Sequence, residues 1–283
     1  MSDCVKVSIV LPAFNGEKYL EQAIDSVLNQ SFSNWELILI NDCSTDSTKS
    51  IMERYAQNDD RIRVINNEKN FKVPKSLNEG FASARGKYFT WTSDDNVLMP
   101  NMLEKLVGIL DRYSDVGCVY SNMIEIDENG ETICDSFFGN KTEADIIATG
   151  CGGSFLYRKE LALEVGPYDP DLFLVEDYDY WLRIYSRGKV MYLPEALYCF
   201  RMHSESQTTT KKELVFNKTH KALWKNYWDI IACSNSFKER RKLYNRIYRF
   251  SDRKERHLFY RVILEMNLWM IKNIIWGVIG KQI

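Results

Sequence analysis

The stretch "VSIVLPAFNGEKYLEQAIDSVLNQSFSNWELILINDCSTDST", residues 7–48, decides the fold. Two short apolar runs enclose a segment whose apolar residues recur at the spacing of a helix. The first run predicts a buried strand over Val5 to Leu11 that Pro12 stops. The second run, "WELILIND", predicts another buried strand. Buried strands that alternate with helices indicate a parallel sheet covered on both faces.

The same alternation continues to residue 92. A helix with Ser/Thr/Asp capping residues, Asp46 among them, is predicted in "STDSTKSIMERYAQ". A strand, a helix and a fourth strand are then predicted in "IRVINN", "VPKSLNEGFASAR" and "KYFTWT". Ligands of such sheets bind at the carboxyl ends of the strands. Three loops there, residues 12–17, 41–46 and 92–96, are therefore the expected site.

The second half of the chain is less regular. It predicts a helix from Pro100 to Tyr113 and a hairpin that turns at Asn129-Gly130. A strand and two helices follow, then a late strand with a polar loop. From Lys211 the sequence is helical, basic and aromatic. We expect an α/β domain over residues 1–210 and a helical extension over 211–283.

Composition narrows the class of protein. The chain has 283 residues and a net charge of −2, which gives no general attraction to nucleic acid. Its seven cysteines form no CxxC pair, which argues against a disulfide framework or a structural zinc site and fits a reducing cytosol. The N-terminus predicts no signal segment, and no apolar run has the length of a membrane span. We therefore expect a cytoplasmic protein.

Carboxylates follow two of the predicted strands. Asp42 ends the second strand, where it could accept a hydrogen bond from a uracil imide or a ribose hydroxyl, or could cap a helix. Asp94 and Asp95 end the fourth strand side by side. Solvent, a helix N-terminus or a divalent cation could offset their repulsion, and Mg2+ or Mn2+ prefers such oxygen ligands together with substrate phosphates.

Two further candidates come later in the chain. Glu176 and Asp177 in "LVEDYDYW" either stabilise a helix N-terminus or supply a general base. His203, one of three histidines, is either a metal ligand or a polar loop residue. Taken singly, each pattern leaves both interpretations open.

The blocks together resemble one family. "PAFN", "QSFSNWELILINDCSTD", "TSDDN", "EDYDYWLR" and "FRMHSESQT" follow in the order and spacing of the family 2 glycosyltransferases, and the resemblance covers residues 5–210. It implies a GT-A fold, with a Rossmann-like, mostly parallel central sheet flanked by helices. It also implies a nucleoside-diphosphate sugar donor, a divalent metal (Mn2+ or Mg2+) and inversion at the anomeric carbon.

The resemblance assigns roles to matching residues. Asp42 would bind the base or ribose, and Asp94 would hold ribose or a metal-bound water. The loop under the base and ribose would comprise Pro12, Ala13, Phe14 and Asn15, with Glu17 close by.

It also assigns the chemistry. Asp95 would ligate the metal, and His203 matches a position that contacts the metal or diphosphate in some relatives. Asp177 would be the catalytic base, with Glu176 as its partner. The resemblance implies a reaction of the hexosyltransferase type with a uridine-linked donor. It also implies a glycan or lipid-linked acceptor, in surface polysaccharide or glycan assembly.

Departures from the family pattern affect the expectations. Thr92 replaces the first acid of the usual D-x-D-D run, and "NFKVPKSLNEG" has Val73-Pro74 in place of small residues, which alters the expected donor pocket. The Q-x-x-R-W signature of processive synthases is absent, which implies one sugar per encounter.

Rival functions lack their own motifs. No G-x-G-x-x-G follows the first strand, and no G-x-x-x-x-G-K-[ST] occurs, which argues against a dinucleotide oxidoreductase and a P-loop enzyme. The alternatives that stay open are a sugar nucleotidyltransferase and a non-catalytic nucleotide-sugar-binding protein. Asp177 favours the enzyme.

The C-terminal segment allows two interpretations. Its apolar stretches are interrupted by polar residues, as expected of helices that pack on the domain or on a second subunit. They also suit a peripheral helix lying in the inner membrane surface, with basic residues 238–242 and 253–256 facing anionic head groups.

Overall fold

The structure is a computed structural model that describes residues 4–136, 152–204, 206 and 210–233. Its elements in chain order are β1 (Val7–Ala13), α1 (Leu20–Leu28), β2 (Trp35–Asn41), α2 (Thr48–Asn58), β3 (Ile62–Asn66), α3 (Lys72–Ala82), β4 (Tyr88–Trp91), β5 (Val97–Leu98), α4 (Met102–Arg112), β6 (Val116–Ile126), β7 (Thr132–Ser136), β8 (Phe155–Arg158), α5 (Lys159–Val165), a 3-10 turn (Pro170–Leu172), α6 (Glu176–Arg187), β9 (Lys189–Arg201) and α7 (Lys212–Cys233).

The strands form one sheet in the order β3-β2-β1-β4-β8-β6-β9-β5, with β7 paired to β6. The first four strands are parallel, as predicted. Strand β8 lies antiparallel between β4 and β6, and β9 returns parallel to β6. The sheet is therefore parallel in its first half and mixed in its second.

Alternate side chains of the central strands enter two separate cores. Leu37 and Leu39 of β2 pack on one face with α1, α2 and α4. Ile38 and Ile40 pack on the other face with α3, α5 and α6. Both faces are buried, which explains why β2 is an unbroken apolar run instead of an alternating one.

Pro12 does not stop the first strand, so this expectation was wrong. Strand β1 runs through Pro12 to Ala13 and stays paired with β2 along that length. Its other neighbour, β4, pairs only as far as Val10. Pro12 therefore lies where β1 has an open edge, and its missing N–H removes no ladder bond on that side.

Helix α7 packs against α6. Asn226 Nδ2 donates to Asp179 Oδ1 at 2.8 Å, and Lys225 Nζ donates to Asp169 Oδ2 at 2.7 Å. The division after residue 210 stays a prediction. The basic segments within residues 238–283, with their predicted membrane or subunit contact, lie outside the described residues. In the part of the chain that the structure describes, no helix has the length and apolar character needed to cross a membrane.

Candidate active site

A cleft of about 250 Å3 opens at the carboxyl ends of the first parallel strands. Phe173, Leu174 and Phe200, which the sequence did not single out, form part of its wall. The predicted site residues that line it are Pro12, Ala13, Phe14, Asp42, Asp94, Asp95, Glu176 and Asp177. The fold thus brings together carboxylates that are separated by up to 135 residues in sequence (177 minus 42).

Asn15 and Glu17 join two loops and do not line the cleft. Asn15 Oδ1 accepts the backbone N–H of Thr45 at 2.9 Å, and Asp46 Oδ2 accepts that of Glu17 at 3.1 Å. Asp46 Oδ1 also accepts the N–H of Thr48 at 3.0 Å, at the start of α2. Asp46 thus accepts the first N–H of α2 from the residue before the N-cap, Ser47, whose own side chain makes no capping bond.

Asp42 is buried beneath the cleft, with 4% of its surface exposed. Its Oδ1 accepts hydrogen bonds from Asn67 Nδ2 and from the N–H of Phe71, both at 2.8 Å. Its Oδ2 accepts the N–H of Lys72 at 2.8 Å. Asp42 therefore accepts N–H groups at the start of α3. This supports the alternative that Asp42 caps a helix, although the helix is α3 and not α2, which follows Asp42 directly in the chain. Its role in base or ribose binding stays a prediction.

Asp94 packs directly on the glycine of the first loop. A Cβ on Gly16 would overlap the Asp94 carboxylate, so a larger residue there would have to displace that side chain. Burial, and then the charge of Asp95, raises the pKa of Asp94 to about 8. Thr92, which replaces the usual acid, shares a 2.8 Å hydrogen bond with the Tyr198 hydroxyl, so it braces the loop against β9.

Asp95 has one occupied and one open carboxylate oxygen. Its Oδ2 lies 3.0 Å from His203 Nε2, whereas its Oδ1 is buried with no hydrogen-bond partner. A buried carboxylate oxygen without a partner is costly unless a ligand completes it. Asp95 and His203 therefore fit a divalent cation that takes its remaining ligands from substrate and water. Within the described ranges, no group of three or more His, Cys, Asp or Glu side chains converges as a metal cage.

Arg201 anchors the acidic loop and was missed by the sequence analysis. It is 1% exposed, and its Nε donates to the carbonyl oxygen of Asp95 at 2.9 Å. Its Nη1 donates to the carbonyl of Asp127 at 3.0 Å, and its Nη2 donates to Gln22 Oε1. The guanidinium also lies over the ring of Tyr19, 4.5 Å from the centroid. Its position two residues before His203 was the one available signal.

Glu176 and Asp177 differ in exposure at the start of α6. Glu176 is buried and accepts the N–H of Leu174 on Oε2 at 2.6 Å. Burial, and then the charge of Asp177, raises the pKa of Glu176 to about 8. Asp177 is exposed to the cleft, and its Oδ1 accepts the N–H of Tyr178 at 2.7 Å.

The surroundings of Asp177 favour its protonated form. The cleft walls withdraw the carboxyl from bulk water and raise its pKa, although its side chain stays open to the cleft. Aromatic side chains enclose its far side: Trp91, Phe155, Tyr157, Tyr168, Tyr180 and Trp181. A carboxylate with a raised pKa in a cleft is suited to accept a proton.

Left-handed backbone gathers around the cleft. In the described residues, the non-glycine positions with positive φ are Asn15 (54°), Cys43 (64°), Lys72 (68°) and Leu174 (84°). Each belongs to a loop beside the cleft or borders a residue that lines it. Such conformations cost about 1–3 kcal/mol each and persist where surrounding contacts impose them, often at functional sites.

The sequence is similar to known proteins of one family. The model of glycosyl transferase family 2 matches residues 8–166. EpsE of Bacillus subtilis (strain 168), which carries the name of a glycosyltransferase, is 35% identical over 213 residues, covering 73% of this chain and 76% of EpsE. A glycosyltransferase of Haemophilus influenzae is 30% identical over 237 residues, covering 79% of this chain and 73% of that protein.

Two solved structures share the fold. TarS of S. aureus in complex with UDP-GlcNAc superposes with a TM-score of 0.68 at 21% identity, over 87% of this chain and 71% of TarS. The mannosyltransferase PcManGT of Pyrobaculum calidifontis, in complex with GDP-Man and Mn2+, gives 0.63 at 15% identity, over 87% of this chain and 70% of that one. The fold is thus GT-A, and the chain belongs to glycosyl transferase family 2.

Proposed function

We propose that this glycosyltransferase moves one sugar from a UDP-sugar to a hydroxyl acceptor, with inversion at the anomeric carbon. One observation carries the proposal: Asp177 is open to the cleft that Asp95 also lines. A proton acceptor and a cation ligand in one cleft are the two groups that a single displacement on a nucleoside-diphosphate sugar requires.

Asp177 acts as the general base. The acceptor hydroxyl is a poor nucleophile, so a carboxylate must remove its proton while it attacks the anomeric carbon. Attack opposite the leaving diphosphate inverts that carbon in one step, and no enzyme nucleophile is needed. Glu176, whose raised pKa keeps it protonated at neutral pH, adds no second negative charge beside the base.

Asp95 would hold a divalent cation, Mn2+ or Mg2+. When bound, it would offset the negative charge that develops on the leaving diphosphate. Asp95 offers its open Oδ1, and His203 positions Asp95 through Oδ2. The Mn2+ complex of the mannosyltransferase is compatible with this assignment.

We assign the nucleotide to the first loop of the cleft. Pro12, Ala13 and Phe14 offer one apolar surface, and the ring of Phe14 is 45% exposed. Asp42 and Asp94 complete the polar side for ribose and base. The UDP and UDP-GlcNAc complexes of TarS support uridine as the base. We place the reaction in glycan or surface polysaccharide assembly.

A nucleotide-sugar panel tests the proposal. The thermal midpoint should rise with UDP or a UDP-sugar in the presence of Mn2+ and much less in its absence. Asp177→Asn should keep that shift and lose transfer by about 10²–10⁴, the usual contribution of general base catalysis.

Asp171→Asn is the matched control, because Asp171 is an exposed acid six positions earlier in the chain (177 minus 171) that does not line the cleft. Near wild-type transfer by Asp177→Asn would remove Asp177 from the mechanism.

A further inference from the structure

The first turn of α6 contacts α7 on the side away from the cleft. Asp179 follows the proposed base, Asp177, by two residues, so the two side chains project about 200° apart around the helix axis. Asp177 is open to the cleft, whereas Asp179 is fully buried. Asp179 Oδ1 accepts a hydrogen bond from Asn226 Nδ2 of α7 at 2.8 Å. One helical turn therefore carries the base on one side and a bond to α7 on the other.

The contact between the two helices is buried. Asn226 is 4% exposed and Asp179 is 0% exposed. The other oxygen of Asp179, Oδ2, accepts from Arg183 Nε at 2.9 Å in an ion pair within α6. Arg183 Nη1 in turn donates to the carbonyl oxygens of Val165 and Pro167 at 2.9 and 3.0 Å. Arg183 thus balances the charge of Asp179, and Asn226 provides the amide donor for Oδ1.

Helix α7 also contacts the segment that leads to the base. Lys218 Nζ donates to the carbonyl oxygen of Phe173 at 2.9 Å, and Phe173 lines the cleft. Lys225 Nζ donates to Asp169 Oδ2 at 2.7 Å and lies 3.4 Å from Asp179 Oδ1. Contacts at residues 169, 173 and 179 therefore hold this wall of the cleft against α7.

The first turn of α6 depends on contacts from outside the helix. The first N–H groups of a helix have no acceptor within it, and helix ends fray. The N-cap residue, Val175, makes no side-chain capping bond. The preceding residue, Leu174, has a φ of 84°, which a side chain disfavours. The Asn226 hydrogen bond restrains this turn from behind.

We propose that α7 positions the catalytic base: Asn226, acting through Asp179, holds the first turn of α6 so that Asp177 faces the acceptor hydroxyl. The inference rests on the proposed function, in which Asp177 is the base. Asn226 and Asp179 are positioning residues, since neither lines the cleft. Helix α7 begins after residue 210, where the family resemblance ends, so the resemblance assigned it no role in the site.

Turnover and nucleotide affinity of the full chain provide the test. The assay follows release of UDP from the UDP-sugar that gives the largest thermal shift in the nucleotide-sugar panel, with water in place of the acceptor hydroxyl. Asn226→Ala should slow this release by about 10–100-fold, because a misplacement of about 1 Å can cost about 10²-fold in rate. Its calorimetric affinity for UDP with Mn2+ should equal that of the wild type, because Asn226 lies behind α6 and not in the cleft.

Arg187→Gln is the matched control. Arg187 Nη2 donates to Asp229 Oδ2 at 3.0 Å, so it joins the same two helices. Arg187 is the last residue of α6, ten positions after Asp177 (187 minus 177), or about 15 Å along the helix axis. This variant should keep the wild-type rate and UDP affinity. If the contacts between α6 and α7 only stabilised the fold, the two variants would behave alike.

Lys225→Met decides the case in which Asn226→Ala does not fold. The Lys225 side chain is 40% exposed, so the chain should fold without it. The substitution removes the contacts to Asp169 and Asp179. It should slow UDP release by a smaller factor than Asn226→Ala and leave UDP affinity unchanged.

The inference is overturned if folded Asn226→Ala, or Lys225→Met in its place, releases UDP at the wild-type rate. It is also overturned if UDP affinity falls together with the rate, or if Arg187→Gln is slowed equally, because α7 would then support the fold as a whole. Asp177→Asn separates this from a failure of the proposed function. A wild-type rate in that variant, or no UDP release by the wild-type protein, would contradict the base assignment itself.

Discussion

Replacing Arg201 by lysine should separate the charge of this residue from its hydrogen bonds. The guanidinium is fully enclosed, and its three nitrogens reach acceptors on three different segments: the acidic loop, the β6–β7 turn and α1. All of these acceptors are neutral. Arg201→Lys keeps the positive charge but offers a single nitrogen, which cannot span the three segments.

The expected cost follows from the count of lost contacts. One ammonium can satisfy one of these acceptor groups and leaves at least two buried acceptors unpaired. Each unpaired buried group costs about 1–3 kcal/mol, so the loss of two should lower the free energy of unfolding by about 2–6 kcal/mol. Gln22→Leu removes one acceptor only and should cost less than Arg201→Lys.

Urea denaturation with fitted slopes measures both changes. Arg54→Lys is the control, because Arg54 is exposed and paired with Glu21 on the surface; its midpoint should match the wild type. Because Nε holds the Asp95 carbonyl, UDP affinity in the presence of Mn2+ should also fall in Arg201→Lys. A midpoint equal to wild type would refute the stability argument. If the variant is destabilised but its UDP affinity is unchanged, Arg201 stabilises the β6–β7 hairpin and does not affect nucleotide binding.

Three further substitutions address the carboxylates. Asp95→Ala should abolish Mn2+-dependent UDP binding in calorimetry, and unchanged affinity would exclude Asp95 as the ligand. Asp42→Ala should lower the thermal midpoint, because two N–H groups at the start of α3 lose their acceptor; weaker UDP binding as well would assign a nucleotide contact, and intact binding would leave only capping. Glu176 has a folded-state pKa of about 8, above its unfolded value of 4.5, so the folded state binds the extra proton and stability should fall as pH rises from about 4.5 to 8. Glu176→Gln should flatten that fall in denaturation curves recorded across the range, and an unchanged slope would contradict it.

Local periodicity predicted the first half of the fold. Strands β1 to β4 and helices α1 to α3 lie in the predicted segments, because buried strands and amphipathic helices leave a direct trace in sequence. The strand order could not be predicted in this way. Strand β8 inserts antiparallel between β4 and β6, a pairing between segments far apart in the chain. The extension of β1 through Pro12 likewise depends on where β4 ends.

The site was predicted by motif, and its supporting contacts were not. Most of the acidic residues that the resemblance singled out line one cleft, and their roles stay predictions. No local pattern links Arg201 to Gln22, 179 residues away, or Asp42 to the N–H of Lys72, 30 residues away. Such contacts arise only when the sheet assembles, so sequence reasoning could identify Asp42 as a cap without knowing which helix it caps.

The carboxylates of the cleft differ in whether their oxygens accept hydrogen bonds from the backbone of neighbouring loops. This difference separates the acids that support the cleft from those that could act in the reaction. Asp42 and Glu176 each accept the N–H of a left-handed residue, Lys72 and Leu174, so they are committed to holding strained loops. Asp95 keeps a buried oxygen without a partner. Asp177, exposed to the cleft, accepts the backbone N–H of Tyr178 on Oδ1. Asp42 and Glu176 thus hold the backbone of the cleft at Lys72 and Leu174, and losing either acceptor would let that strained backbone relax. Asp95 and Asp177 keep the oxygens that the proposed cation and proton transfer require.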